Sequence, residues 1–175
     1  MNSEVVIVNT PHIPADEKKR LAALRQSTLD ELTGTGNRLG FIFLAQHMLN
    51  LCARQGAPAT LVYFELHGCD RGNDVSPLNM LKLKRFAELM RSTFRVTDLT
   101  ARMSGNQFVV LFTNTPLAHT QIALEKFQEA VTQNAPELHY STGIAGFFPN
   151  RSTDVEDLIT EASAQIAPFH HIKSA

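Results

Sequence analysis

The 175-residue chain is 43% hydrophobic, enough for one sizeable core, and its 16 Lys and Arg against 17 Asp and Glu leave a formal net charge of −1. That balance supplies no overall field to recruit nucleic acid or an anionic membrane, so any anion must be bound locally. Cys52 and Cys69 lack a metal-site spacing, nothing resembles a signal peptide, and no apolar run approaches the roughly 20 residues that span a bilayer; a cytoplasmic protein without direct membrane insertion is expected.

Ser3 to Val8 is β-branched and predicts a short strand outside the main fold, punctuated by Pro11 and Pro14. Ala15 to Leu32 predicts a lead-in helix, with acids early and Leu21, Ala22, Ala23, Leu24, Leu29 and Leu32 at roughly helical spacing. Such a helix either packs on the domain or couples it to a partner or an upstream sensor. The breaker cluster Leu32 to Arg38 follows, and Asn37 caps a second helix to about Arg54, in which Phe41, Leu44, Met48 and Leu51 recur at three- and four-residue steps. Thr60 to Leu66 predicts a mostly apolar strand with Leu61, Tyr63 and Glu65 on one face and Val62, Phe64 and Leu66 on the other. It is either a central strand delivering one carboxylate to a site or a strand with an exposed terminal Glu.

Beyond the polar loop Gly68 to Pro77, Leu78 to Phe94 predicts a helix burying Leu81, Leu83, Phe86, Leu89, Met90 and Phe94. Lys82, Lys84, Arg85 and Arg91 form its wet side, and without interleaved aromatics they read as a solvated face rather than a nucleic-acid patch. Arg95 to Phe112 then reads as a helix end, a strand, a two-residue turn at Gly105-Asn106 and a returning strand. Its tip, Ser104 to Phe108, offers a hydroxyl and two amides, groups that bind but do not readily hold a metal or move a proton. Pro116 opens a helix to about Gln133 with Ile122, Ala123, Phe127 and Val131 inward, His139 to Ala145 predicts a strand, and Asp154 to Ile166 a last helix burying Val155, Leu158, Ile159, Ala162 and Ile166.

Five landmarks carry a family likeness. Asp30 to Arg38, DELTGTGNR, resembles the D-x-L-T-G-x-x-N-R opening of GGDEF domains, the diguanylate cyclases of bacterial signalling. Phe64-Glu65-Leu66-His67 resembles their metal-bearing strand, Asn73-Asp74 the following N-D, Ser104 to Phe108 the signature hairpin, and Ser141 to Ala145 the late S-x-G-x-A strand. The resemblance covers about Gln26 to His171. It implies an α/β (α+β) palm-like fold, with a central, mostly antiparallel sheet flanked by helices. It also implies a division into an extension and lead-in helix (1–26), a degenerate GGDEF domain (27–171) and a tail (172–175). In active members two GTP-loaded subunits meet and condense to cyclic di-GMP, with magnesium held by an Asp on the first strand and an acid in the hairpin.

Carried across by this resemblance, the cyclase site is depleted. The first-strand Asp is Glu65, the hairpin metal acid is Asn106, its acidic neighbour is Gln107, the first signature Gly is Ser104, and the second strand Asp is His67. The phosphate-binding Lys of the last helix is His170, and Pro168 ends that helix early; Asn73 survives as a vestigial GTP contact. Neutral amide oxygens ligate magnesium weakly, so no cofactor is expected to be required. Arg95-Val96-Thr97-Asp98 stands where the family has its R-x-x-D inhibitory site for cyclic di-GMP. An Arg fork suits the O6 and N7 edge of guanine or a phosphate, and an Asp accepts from N1 and N2. Arg102 is a candidate auxiliary cation, and the plain alternative for Arg95 and Asp98 is a helix-end salt bridge at three-residue spacing. The resemblance therefore implies a catalytically inactive GGDEF domain that acts as a cyclic di-GMP receptor with a protein partner or as a homodimer. The alternatives are an interaction or dimerisation scaffold that binds no nucleotide, and an active diguanylate cyclase.

Overall fold

The computed structural model describes residues 14–69 and 76–166. The predicted strand at Ser3 to Val8, Asn73 and the tail with Pro168 and His170 lie outside them. The elements are α1 (Ala15–Thr28), β1 (Gly36–Asn37), α2 (Arg38–Gln55), β2 (Ala59–Leu66), α3 (Pro77–Thr93), β3 (Leu99–Ser104), β4 (Gln107–Thr113), α4 (Leu117–Asn134), β5 (Tyr140–Phe147) and α5 (Val155–Ala164). One five-stranded sheet runs β1-β3-β4-β2-β5. Strand β2 is antiparallel to both β4 and β5, β3 is antiparallel to β4, and β1 alone runs parallel to its neighbour β3. This is the mostly antiparallel, helix-flanked sheet expected, with β1 added. At two residues, Gly36 opposite Ala101 and Asn37 opposite Arg102, β1 is too short to leave a periodic signal in the sequence.

β2 is the central strand, buried along all eight residues, and its alternation divides the interior into two cores. Leu61 and Tyr63 meet Phe41, Ala45, Leu49 and Cys52 of α2 and Leu158 and Ala162 of α5. Val62, Phe64 and Leu66 meet α3 and α4 on the other face. There Phe64 packs edge-on against Phe86 and Phe127, at centroid distances of 5.9 and 5.5 Å, the geometry that the quadrupoles of aromatic rings favour.

Side-chain caps fix where the helices begin. Asn37 Oδ1 accepts from the Gly40 N–H, Ser76 from Asn79 with Pro77 at the first helical position, and Asp154 and Asp157 form a reciprocal capping box on α5. Asn37 also explains why α1 stops at Thr28 rather than reaching Leu32. Its Nδ2 donates to the Ser27 and Leu29 carbonyls, which satisfies the helix end while Leu29 turns extended.

Helix rotation departs from expectation in three places. On α2 the buried stripe is Phe41, Ala45, Leu49 and Cys52, while Leu44 is 53% exposed. On α3 Leu81 faces solvent, and on α4 so does Ile122. Each of these helices carries apolar residues beyond its buried stripe, so periodicity admits more than one inward face; on α2 the small residues Ala45 and Cys52 let the helix sit close on the sheet.

Two close contacts fix the β5 side. A Cβ on Gly143 would lie 1.8 Å from the Ala162 carbonyl oxygen, so α5 rests directly on the strand backbone. At the outer edge of β5, the Gln165 side chain accepts from the Ile144 N–H at 3.0 Å and donates to the Ile144 carbonyl at 2.6 Å. No helix among the described residues is long and apolar enough to cross a membrane.

Candidate functional site

The β3–β4 hairpin turns at Gly105 and Asn106, with Gly105 in the left-handed region (φ 46°) and a register shift between Arg102 and Ser104. Ser104 Oγ donates to Gln107 Oε1 at 2.7 Å across the turn. Asn106 is 4% exposed and is tied twice to the end of β2: its Nδ2 donates to the Leu66 carbonyl at 2.6 Å, and its own carbonyl accepts from the Leu66 N–H at 2.9 Å. A carbonyl oxygen can only accept, so the NH₂ end of the amide must face Leu66. Asn106, which the resemblance sets at the hairpin metal position, thus turns a donor to Leu66 and staples the hairpin tip to the central strand.

Glu65 lies opposite Gln107 in the sheet register and is 8% exposed. It is therefore the buried strand-end carboxylate rather than the exposed one, and it acts electrostatically on His67. His67 Nε2 hydrogen-bonds the Ser141 hydroxyl at 2.8 Å, and the His67 backbone N–H donates to the His139 carbonyl at 2.7 Å. Burial lowers the His67 pKa below the ordinary 6.5; the Glu65 charge pulls it back up and His139 pushes it down again. The folded state therefore prefers neutral His67. Its contribution to stability is complete above the unfolded value of 6.5 and is lost as the pH falls from there through the lowered folded value. Urea unfolding of the native chain should show this loss, and His67→Gln should remove that part of the pH slope; equal slopes would mean that His67 is not its source.

Of the two hairpin amides, Asn106 turns its N–H to the Leu66 carbonyl and Gln107 has its oxygen engaged by Ser104, so neither supplies the charged oxygen ligand that magnesium favours. Among the described residues no three His, Cys, Asp or Glu side chains are placed to hold a metal ion.

The second cluster follows α3. Phe94 leaves the helix extended, and Arg95 to Asp98 form a tight turn in which the Asp98 N–H donates to the Arg95 carbonyl and the Arg95 N–H donates to Asp98 Oδ2, both at 2.9 Å. Asp98 is thus held through the Arg95 backbone rather than by a helix-end salt bridge to its guanidinium. Burial raises the Asp98 pKa above the ordinary carboxylate value, against the opposing Arg95 hydrogen bond and charge. Arg95 and Asp98 together line a groove of about 440 Å³. Phe94, Phe112 and Ala123 also line it, and α4 brings His119, Ile122 and Lys126 to it. Asn114, left-handed at φ 52°, also lines it; Thr115 beside it is anchored by its N–H to the Pro58 carbonyl and by Thr60 Oγ1 of β2 to its own carbonyl.

The α4 wall was not anticipated from the sequence. The available signal is the i, i+3, i+4, i+7 spacing of His119, Ile122, Ala123 and Lys126, which the apolar pattern of the same helix obscures. Arg102 is not among the groove residues. Its guanidinium pairs with Asp30 at 3.3 Å, and its Nε donates to the Gly105 carbonyl at 2.8 Å, bracing the hairpin against the loop after α1. Arg91 makes a parallel tie to the Thr33 carbonyl.

Residues 27–170 match the family model for the GGDEF domain of diguanylate cyclases, and the chain belongs to the GGDEF family. It is 31% identical over 153 residues to the cyclic di-GMP phosphodiesterase NbdA of Pseudomonas aeruginosa, a match covering 81% of this chain and 19% of that protein. It is 28% identical over 149 residues to the probable diguanylate cyclase DgcC of Escherichia coli K12, covering 79% of this chain and 39% of DgcC. The chain therefore spans well under half the length of these curated relatives. In fold it resembles the coiled coil and GGDEF domain of Caulobacter crescentus DgcB, solved in complex with cyclic di-GMP. The TM-score is 0.72 at 18% identity, over 84% of this chain and 83% of the other.

Proposed function

We propose that this GGDEF domain does not synthesise cyclic di-GMP and instead binds it in the groove formed by Arg95 and Asp98. The observation that carries the reading is the convergence of these two side chains on one groove, with Asp98 already oriented by the Arg95 N–H. The guanidinium can then grip a guanine edge or a phosphate while the carboxylate accepts from the base. The inactive part of the reading is supported by Asn106, a neutral amide spent on the Leu66 carbonyl at the position where the family resemblance calls for a metal-holding carboxylate. DgcB, which shares the fold, was solved with cyclic di-GMP bound.

Calorimetry with cyclic di-GMP and with GTP tests it. Native protein should bind cyclic di-GMP and Arg95→Ala should bind it about 10- to 100-fold more weakly, the equivalent of losing charge-assisted hydrogen bonds. Product formed from GTP and magnesium would overturn the inactive assignment. Absence of binding to either nucleotide would leave the second reading, a scaffold for a protein partner or a second copy. That reading is favoured by α2, which exposes Leu39, Phe43 and Leu44 by 59, 72 and 53%.

A further inference from the structure

The α4 wall of the groove has a composition that Arg95 and Asp98 do not account for. Thr120, Phe127 and Val131 are buried and fix the rotation of the helix, which leaves His119 and Lys126, seven residues apart, on one flank above the groove. Seven residues are two turns, about 10 Å along the axis, so the imidazole and the ammonium stand at opposite ends of the wall. Phe94 and Phe112, with Ala123 of α4, add an apolar lining suited to a planar base. Among the described residues, the other charged groups lining the groove are Arg95 and Asp98; Phe112 from β4 and Asn114 and Thr115 from the turn before α4 are neutral. The first residues of α4 are set by Pro116, whose carbonyl accepts from the His119 and Thr120 N–H groups at 2.9 and 3.2 Å.

We propose that His119 is a phosphate-binding residue of this groove, taking up a proton as an anionic nucleotide docks, so that ligand affinity follows pH through the imidazole range. The inference rests on the groove being the cyclic di-GMP site. A phosphate set against an imidazole favours its protonated form, and by linkage the protonated form favours the phosphate. Lys126 supplies a fixed charge at the far end of the wall, and His119 supplies one that depends on pH. Asp98 acts in the opposite sense: it must remain ionised to accept from guanine, so acidification far enough to protonate it weakens binding.

The test is calorimetry with cyclic di-GMP at about pH 6 and pH 8, in buffers of differing ionisation heat, on the native chain, His119→Gln, His119→Lys and Arg95→Ala. The native protein should bind about tenfold more tightly at the lower pH, with proton uptake. His119→Gln should bind at both pH values with weak affinity and no uptake, and His119→Lys should recover the affinity without the pH dependence. If His119→Gln retains the native pH dependence and proton uptake, His119 has no such role, although the groove reading stands. If the native chain binds no cyclic di-GMP at either pH, both ideas fail. Loss of binding in Arg95→Ala alone tests the groove and not His119.

Discussion

Asn106→Asp should lower the stability of the domain by about 2 to 4 kcal/mol at neutral pH in urea unfolding without divalent cations, although the two side chains are nearly identical in shape. The amide is 4% exposed and donates to the Leu66 carbonyl at 2.6 Å. A carboxylate there sets acceptor against acceptor in a buried place and adds a charge without a partner. Burial raises the pKa of such a carboxyl in the folded state, so folding takes up a proton between the unfolded and folded values. The deficit should therefore shrink as the pH falls and the acid regains an O–H to donate. Magnesium should restore part of the lost stability in this variant and leave the native chain unaffected, because a cation can sit between a carboxylate and the Leu66 oxygen. An unchanged unfolding midpoint in the variant would mean that the amide donor is not holding the hairpin to β2.

The second large effect is expected at Gly143. In Gly143→Ala the new methyl would lie 1.8 Å from the Ala162 carbonyl oxygen and 2.8 Å from its carbon, and both are backbone atoms of α5 that cannot swing aside. Either the helix lifts off the strand or the strand bends, and each loosens the packing of Leu158 and Ile159. A loss of about 3 kcal/mol or more is expected, lowering the thermal midpoint by roughly 10 °C in a chain of this size. Gly146→Ala is the matched control. Its methyl would meet only the ring of Phe148, at 3.3 Å, and a side chain can yield. Equal losses in the two variants would exclude close helix approach as the cause.

The sequence shows the fold better than the site because the two are encoded at different ranges. The alternation in β2 and the run of apolar residues in α3 and α5 are local, and they place nearly every element and both faces of the central strand. The inward face of α2 was less legible, since Phe41, Leu44, Met48 and Leu51 make as regular a stripe as the one actually buried, and only contact with the sheet selects between them. Site residues depend on partners far away in the chain. The tie of Asn106 to Leu66, 40 positions earlier, leaves no mark in the sequence around the hairpin. Arg102 is read as a free cation until Asp30, 72 positions earlier, takes it up. The pairing of Arg95 and Asp98 was visible because three residues separate them; the helix that completes their groove was not.

The Gln165 side chain gives the sheet a property that its strand order alone would not. β5 is an outer strand of eight residues, the length at which an open edge invites another strand to pair with it. By engaging both the N–H and the carbonyl of Ile144, one glutamine amide stands in for the missing neighbour strand and blocks the middle of that edge. Extension of the sheet by another strand at this edge is thereby disfavoured. The same residue closes the end of α5 through its N–H to the Ala162 carbonyl, so fraying of that last helical turn would expose the sheet to aggregation.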